Sequence, residues 1–506
     1  MAIPLLSPVV WLLSSLLLRT ISLEDAHERN SSSRPVLEGQ DQEWEGVFVR
    51  SDIRSGAIRT DVVVIGAGAA GIAAARSLQQ ENLSVIVVEA RKRIGGRIYT
   101  DSNLAPHPVE RGAEFIHGSR AVTWNYVEQF GLGTIADANH GCYFLDGQLR
   151  HEPPQTVPFC ERLMSWLKEQ ARAHLAAGGA DLPISSLLVQ AQLPPSFHSP
   201  ATLARLLNHL VASEKGADLD EMSLSGLLEH DFSGYGEGNY RIVEGYARLL
   251  GCLARGLDIR LGMPVKRVEW SGRGAVVHAR GKTLACRHVV VTLPLGVLQA
   301  QDVTFDPELP ARKQAAIERL GAAAVCKLFL RFRERFWPED MAVLCTTGRT
   351  QVWWPTGWGR SHASPLLTAL VGGDSARRFA ERKQEALPRA LRQIEEMFGA
   401  RVGKLFLEGK MVRWHCKRYT RMGYSYLPVG APPQTRDRLA EPIRPTLFFA
   451  GEATNSRQPS TVHGALESGN RAAQQLLEVR QGAGFQQGTG RFQGNHSTPP
   501  RAGLAD

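Results

Sequence analysis

The chain has 506 residues, 43% hydrophobic and 22% charged, with 49 glycines and 28 prolines; this excludes a disordered polymer, a collagen-like chain and a small disulfide scaffold. Its 59 Lys+Arg against 50 Asp+Glu leave +9, spread among acids rather than gathered in blocks, so no nucleic acid partner is expected. The seven cysteines are scattered without a C-x-x-C pair, which argues against a metal site and against a dense disulfide framework.

Ile3 to Leu18 is the one apolar run long enough to raise a membrane question, which excludes a polytopic membrane protein. It is slightly short for a spanning helix and slightly long for a signal peptide core. No Lys or Arg precedes it, and Thr20-Ile21-Ser22 offers a small-x-small cleavage site. Residues 1–22 are read as a secretory signal, with a membrane anchor as the alternative, so a secreted or anchored product is expected. Residues 23–58 read as a polar linker, and the Gly/Gln/Pro-rich stretch from about Arg480 reads as a disordered tail. Asn30-Ser31-Ser32 and Asn495-His496-Ser497 are glycosylation sequons, meaningful only on a eukaryotic secretory route.

The first strong signal follows the linker. Asp61 to Ile65 predicts a buried parallel strand, and it feeds Gly66-Ala67-Gly68-Ala69-Ala70-Gly71 and an Ala-rich helix to about Gln80. Gly66 permits the tight turn, Gly68 lets the backbone approach a pyrophosphate, and Gly71 lets helix and strand pack closely. A second strand, Ser84 to Glu89, ends in an acid 18 residues beyond Gly71, placed for the hydroxyls of an adenosine ribose. Strand, loop, helix, strand and terminal acid in that order predict a dinucleotide fold. Ala90-Arg91-Lys92-Arg93-Ile94-Gly95-Gly96-Arg97 then adds a second close backbone approach beside cations suited to phosphate.

Farther on, Val265 lies in a β segment after the turn Gly262-Met263-Pro264. Lys327 interrupts the apolar strand Ala322 to Leu330, where a lysine is out of place unless paired or functional. Strands are predicted at 352–354 and 366–373, and a helix around 376–398. Thr446 to Ala450 predicts a buried strand that delivers Gly451 and Glu452 to the carboxyl edge of a parallel sheet. Ser460-Thr461-Val462 then opens an amphipathic helix, with Ser460 and Thr461 both good caps.

Together with Arg111-Gly112-Ala113-Glu114-Phe115-Ile116-His117-Gly118 and Gly423-Tyr424-Ser425-Tyr426-Leu427-Pro428-Val429-Gly430, these motifs resemble the flavin-containing amine oxidases. Within that family the resemblance is to the polyamine oxidases, and it runs from about Arg59 to Val479. It implies a glutathione-reductase-type Rossmann FAD-binding domain (59–125, 236–300 and 425–478) interleaved with an α+β substrate domain (126–235 and 301–424).

The resemblance also implies roles. FAD would be held by the residues of both glycine motifs, among them Gly66, Gly68, Gly71, Glu89, Ala90, Arg91, Gly96 and Arg97. Gly112, Ala113, Glu114, Phe115, the backbone of Val265, Gly451, Glu452, Thr461 and Val462 would complete the set. Lys327 would hold a water against flavin N5, His117 would position the amine, and Tyr424 would form one wall of an aromatic cage whose other wall is Thr461 here. Glu114 would approach the flavin or the substrate cation, and Trp414 and Tyr246 are further candidate wall residues. Arg421-Met422-Gly423 lacks the cysteine that tethers FAD in monoamine oxidases, so noncovalent FAD is expected.

The implied chemistry is hydride transfer from a small-molecule amine to flavin N5, with dioxygen reduced to peroxide and the imine hydrolysed. Amino-acid oxidases need an arginine for the substrate carboxylate where this chain has Gly112 to Gly118, which weighs against them but leaves them and monoamine oxidases as alternatives. A non-enzymatic FAD scaffold is weighed against by intact Lys327 and Glu452, and a carotenoid-type desaturase by the 423–430 and 460–465 motifs. A histone-lysine demethylase is weighed against because this chain shows no partner-binding helical insertion or reader domain.

Overall fold

The computed structural model describes residues 58–137, 141–151, 159–190, 199–229 and 235–482, all within the compact unit formed by residues 47–506. The apolar run at 3–18, most of the linker, both sequons and the tail lie outside the described residues. Among the described residues no helix is long and apolar enough to cross a membrane. The expectation of a secretory route is therefore corrected and withdrawn.

Two large sheets carry the fold. The first has eight strands in the order 258–260, 85–88, 58–65, 282–291, 274–279, 265–271 and 304–306, with 447–449 also paired to 282–291. Its centre is parallel. Ile65 is in register with Val88 and with Val291, and Val291 with Phe449. The carboxyl ends of these strands therefore form one row, and the segments that follow them, Gly66, Glu89, Thr292 and Ala450–Glu452, line one edge. Valine-rich runs form these strands because they are buried on both faces, as a parallel sheet requires.

The helix Ala69–Gln80 covers one face, burying Ile72 and Leu78, each worth about 1.5–3 kcal/mol. It packs against the helix Val462–Arg480 so closely that a Cβ on Gly469 would lie 2.2 Å from the Ala70 carbonyl oxygen.

The second sheet has seven strands in the order 406–413, 325–332, 366–372, 352–355, 343–346, 141–145 and 148–151. Lys327 sits on a central strand, in register with Leu370 on one side and Val412 on the other. Alternation along that strand sends Cys326, Leu328 and Leu330 into a core shared with Ala376, Phe379, Ala390 and Ile394. Phe329, on the opposite face with Lys327, packs with Leu104, Val109 and Trp414. The helix predicted around 376–398 is two helices, Gly373–Glu381 and Lys383–Phe398, broken at Arg382. One apolar stripe at helical spacing runs through the break, so the pattern alone does not disclose it.

Candidate active site

The row of strand ends is shaped for a dinucleotide. Gly66 has φ +109°, and a Cβ on Gly71 would lie 1.9 Å from the Gly66 carbonyl oxygen, so both must be glycine. A Cβ on Gly68 would meet nothing within 4 Å, leaving its backbone open to a ligand. Gly95 donates its N–H to Ala67 O at 2.8 Å, so the second glycine pair leans on the first loop.

Glu89 accepts from the amides of Ala67 (3.0 Å) and Arg91 (2.8 Å), which fixes its carboxylate at the end of the second strand beside Ala90. Met263 and Gly262 hydrogen-bond back to Glu89 and Arg91, which brings the Val265 segment to the same end. The Arg91 guanidinium turns instead toward Tyr419 O and the Thr420 hydroxyl.

Glu452 ties three segments together at the other end. It is 4% exposed, accepts from Arg97 (2.8 Å), the Ser425 hydroxyl (2.6 Å) and the Ser460 amide (2.9 Å), and follows the strand Leu447–Phe449 directly. Arg97 also donates to Gly423 O at 2.8 Å. Both bonds use one nitrogen of the guanidinium, Nη1, which fixes its place beside the crevice. Burial raises the Glu452 carboxyl, but Arg97, Ser425 and Arg436 outweigh it and hold it below the usual range. Thr461 caps the helix Val462–Arg480 by accepting from Gly464 N at 2.9 Å, and the cap leaves the Val462 amide in the orphan first turn.

Lys327 lies where the two sheets meet. Its ammonium donates to Glu114 Oε2 (2.7 Å), Glu110 O (3.0 Å) and Gly112 O (3.0 Å) and sits 5.1 Å from the centre of the Trp354 ring. These are all three of its protons. Holding a water there requires releasing one of these carbonyls. Glu114 also accepts from Arg241 Nε (3.1 Å) and Trp354 Nε1 (2.9 Å), and Arg241 continues to Asp137 at 2.5 Å. Burial raises the Glu114 carboxyl, and the Lys327 and Arg241 charges outweigh it, so it stays ionised. Two cations and two carboxylates form one balanced, buried network. A Cβ on Gly112 would lie 1.8 Å from Arg97 O, and Ala113 N donates to that same oxygen at 3.2 Å, so this loop must lie flat against the second glycine motif.

Phe115 stands between Trp354 (5.7 Å between ring centres) and His117 (6.0 Å). His117 Nδ1 is 2.6 Å from Asn239 Oδ1, so that nitrogen carries the proton and Nε2 is the acceptor. Burial lowers its pKa despite Asn239, and the ring is neutral near neutral pH. Tyr424 is buried and donates to Ser213 O at 2.5 Å, and both it and His117 feel the charge of Glu214. Glu214 keeps 37% of its side chain accessible, whereas its ion-pair partner Lys215, at 2.7 Å, keeps 2%. Burial pulls the Lys215 ammonium down to about 8 against the pull of Glu214.

Trp414 donates to Arg111 O at 2.9 Å and backs Gly112. Tyr246 belongs to the core around the helix Ala69–Gln80. Neither is placed as a wall beside Tyr424.

Glu110 gives a pH test. Burial raises its carboxyl to about 7 against hydrogen bonds from the Tyr246 amide (2.6 Å) and the Thr100 hydroxyl (2.9 Å). Between about 4.5 and about 7 the folded chain keeps a proton that the unfolded chain has lost, so stability falls as pH rises through that window. Glu110→Gln keeps an oxygen for Tyr246 and is expected to flatten that fall in denaturant titrations at several pH values. An unchanged slope overturns the assignment.

Reading the sequence alone misses Arg241, Asp137, Trp354, Asn239 and the Glu214–Lys215 pair. The doubled tryptophan of the strand Val352–Pro355 is the one local signal among them, and it reads equally well as core.

Residues 69–477 match the flavin containing amine oxidoreductases, and the chain belongs to that family. It is 29% identical to polyamine oxidase 2 of Arabidopsis thaliana over 433 residues, covering 82% of this chain and 87% of that one. It is 32% identical to lysine-specific histone demethylase 1 homolog 1 of Oryza sativa subsp. japonica over 448 residues, covering 83% of this chain and 52% of that one. Among the demethylase relatives the chain spans between 30% and 58% of their length. Cyclohexylamine oxidase from Brevibacterium oxydans superposes with a TM-score of 0.71 at 24% identity over 83% of this chain and 99% of that one, which shows the shared fold. The chain has the amine oxidase fold of this flavin-containing family, with FAD as the cofactor. The glycine cradle, the fixed Glu89 carboxylate and the uncovered helix amides fit that cofactor.

Proposed function

We propose that the chain oxidises a polyamine, free or N-acetylated, using dioxygen and releasing hydrogen peroxide, with the imine hydrolysed to aldehyde and amine. Bound FAD supplies the two-electron chemistry. The residues supply the rest. An alkyl amine with a pKa near 10.4 must lose its proton to react, at about 4 kcal/mol near neutral pH, and desolvation against the Trp354, Phe115 and His117 rings offsets this. Neutral His117 offers Nε2 to the amine N–H, its tautomer set by Asn239. Lys327, Glu110 and Gly112 hold the 110–114 segment in place.

The observation that carries the polyamine reading is Glu214, an accessible carboxylate beside both His117 and Tyr424. It is available to the far end of a long substrate. Because the buried Lys215 ammonium offsets its charge, the Glu214 end is close to neutral overall, which suits an acetamide at least as well as an ammonium. Correspondence along nearly the whole length of the polyamine oxidases, against a fraction of the demethylases, also supports the reading.

A peroxidase-coupled panel of spermine, spermidine, N-acetylspermine, cyclohexylamine, L-amino acids and a methyl-lysine peptide tests it. The polyamines are expected to show the highest kcat/KM; preference for the peptide, the monoamine or an amino acid overturns the reading. Lys215→Met is expected to raise kcat/KM for free spermine about tenfold, with little change for N-acetylspermine, since one competing charge is removed. Equal changes for both substrates remove the pair from specificity.

A further inference from the structure

On the outer side of the second sheet, a cleft of about 420 Å3 opens between the helix Pro200–Lys215, the turn after Thr346 and the helices Gly373–Glu381 and Lys383–Phe398. This is within the size of small-molecule sites. Its charge is one-sided. Arg205, Arg349, Arg378, Arg382 and Arg389 line it, against Asp374 as the one lining carboxylate.

Arg378 is paired with Asp374 at 2.6 Å and Arg389 with Glu385 on its own helix. Among the described residues Arg205, Arg349 and Arg382 have no carboxylate within ion-pair distance. They come from three separate elements and converge on one concavity. His209 adds a buried ring whose Nδ1 is held by Thr346 O at 2.9 Å, which leaves Nε2 as its remaining polar atom. Phe379 supplies an apolar wall.

Arg205, Arg349 and Arg382 are exposed, and like charges gathered around one concavity repel one another unless a counter-ion joins them, so such a site concentrates anions. Guanidinium groups pair with phosphate oxygens bidentately, so several phosphates in a row match several arginines better than one isolated anion does. We propose that this cleft is a second ligand site, distinct from the amine site, which binds an oligophosphate anion through Arg205, Arg349 and Arg382. The phosphates could come from a nucleotide or from an inorganic chain, and Phe379 offers the base of a nucleotide a surface that the inorganic chain does not use. The proposal does not depend on which amine is oxidised.

The test uses FAD-saturated enzyme, so that the dinucleotide cradle is filled, and titration calorimetry at about physiological ionic strength. Inorganic tripolyphosphate and ATP are the probes, with sulfate as the single-anion control. Saturable binding of one site is expected for both probes, tighter than sulfate; tighter ATP than tripolyphosphate assigns the nucleotide as source, and equal affinity assigns the phosphate chain.

The triple variant Arg205→Gln, Arg349→Gln, Arg382→Gln is expected to weaken both by about 100-fold or more, since each charge-assisted contact is worth about tenfold. Flavin content, melting temperature and amine turnover should be unchanged, and the corresponding lysine triple should retain part of the affinity. No binding of either probe, binding no tighter than sulfate, or equal binding by the glutamine triple overturns the proposal.

Discussion

Lys327→Met is expected to lower amine turnover about 100-fold or more, the scale on which positioned proton-handling groups act, while the purified protein stays yellow. The ammonium is buried and spends its three protons on Glu110 O, Gly112 O and Glu114. Methionine fills the space and removes all three bonds. Glu114 keeps Arg241 and Trp354, so it is not orphaned, but the network moves from balance to one excess negative charge. Breaking a buried pair in this way costs about 3–5 kcal/mol, visible as a lower melting temperature.

Stopped-flow measurements divide the loss. If Lys327 yields a carbonyl bond to hold a water at the flavin, reoxidation by dioxygen and product formation slow more than anaerobic flavin reduction does. If it only orders the 110–114 segment, both halves slow together. Turnover equal to that of the unaltered enzyme removes Lys327 from the chemistry.

Glu452→Ala is expected to have the second large effect, on cofactor retention. Glu452 is the shared acceptor of Arg97, Ser425 and Ser460, three segments that line one end of the crevice. Its loss leaves the Ser460 amide without its acceptor and the Arg97 guanidinium with Gly423 O but no counter-charge, and the purified protein is expected to be largely colourless, with FAD affinity lowered about 100-fold or more. Glu452→Gln keeps an oxygen for Arg97 and should retain part of the flavin. A fully yellow Glu452→Ala protein contradicts this.

The sign with pH also follows. Because the folded carboxyl sits below its ordinary value of 4.5, its stabilising contribution is present above that value and fades as the pH falls through the folded pKa. The part of flavin release that depends on acid through this group should therefore be missing from the glutamine variant, which holds flavin more weakly at all pH values.

Different parts of the molecule were legible to different degrees. The dinucleotide half is written locally: a valine-rich strand, three glycines with separate steric duties and an acid closing the next strand lie within thirty-two residues, Val62 to Arg93, and depend on contacts along that short stretch. Lys327 announces itself because one charge in an apolar strand is costly without a partner. The partners themselves were hidden. Glu114 and Trp354 reach Lys327 and each other across 213 and 240 residues of chain, and neither an arginine at 241 nor an aspartate at 137 stands out from a solvated surface residue in sequence. The same holds for Glu452, the partner of Arg97, which lies 355 residues away along the chain.

The order of residues alone thus settles that this chain builds a parallel nucleotide-binding sheet and buries one lysine, because periodicity and glycine sterics act over a few residues. Which carboxylate neutralises that lysine, and which arginines share a cleft, were decided by the packing of distant segments. Coulombic partners are chosen by distance in space, and only the folded chain fixes that distance.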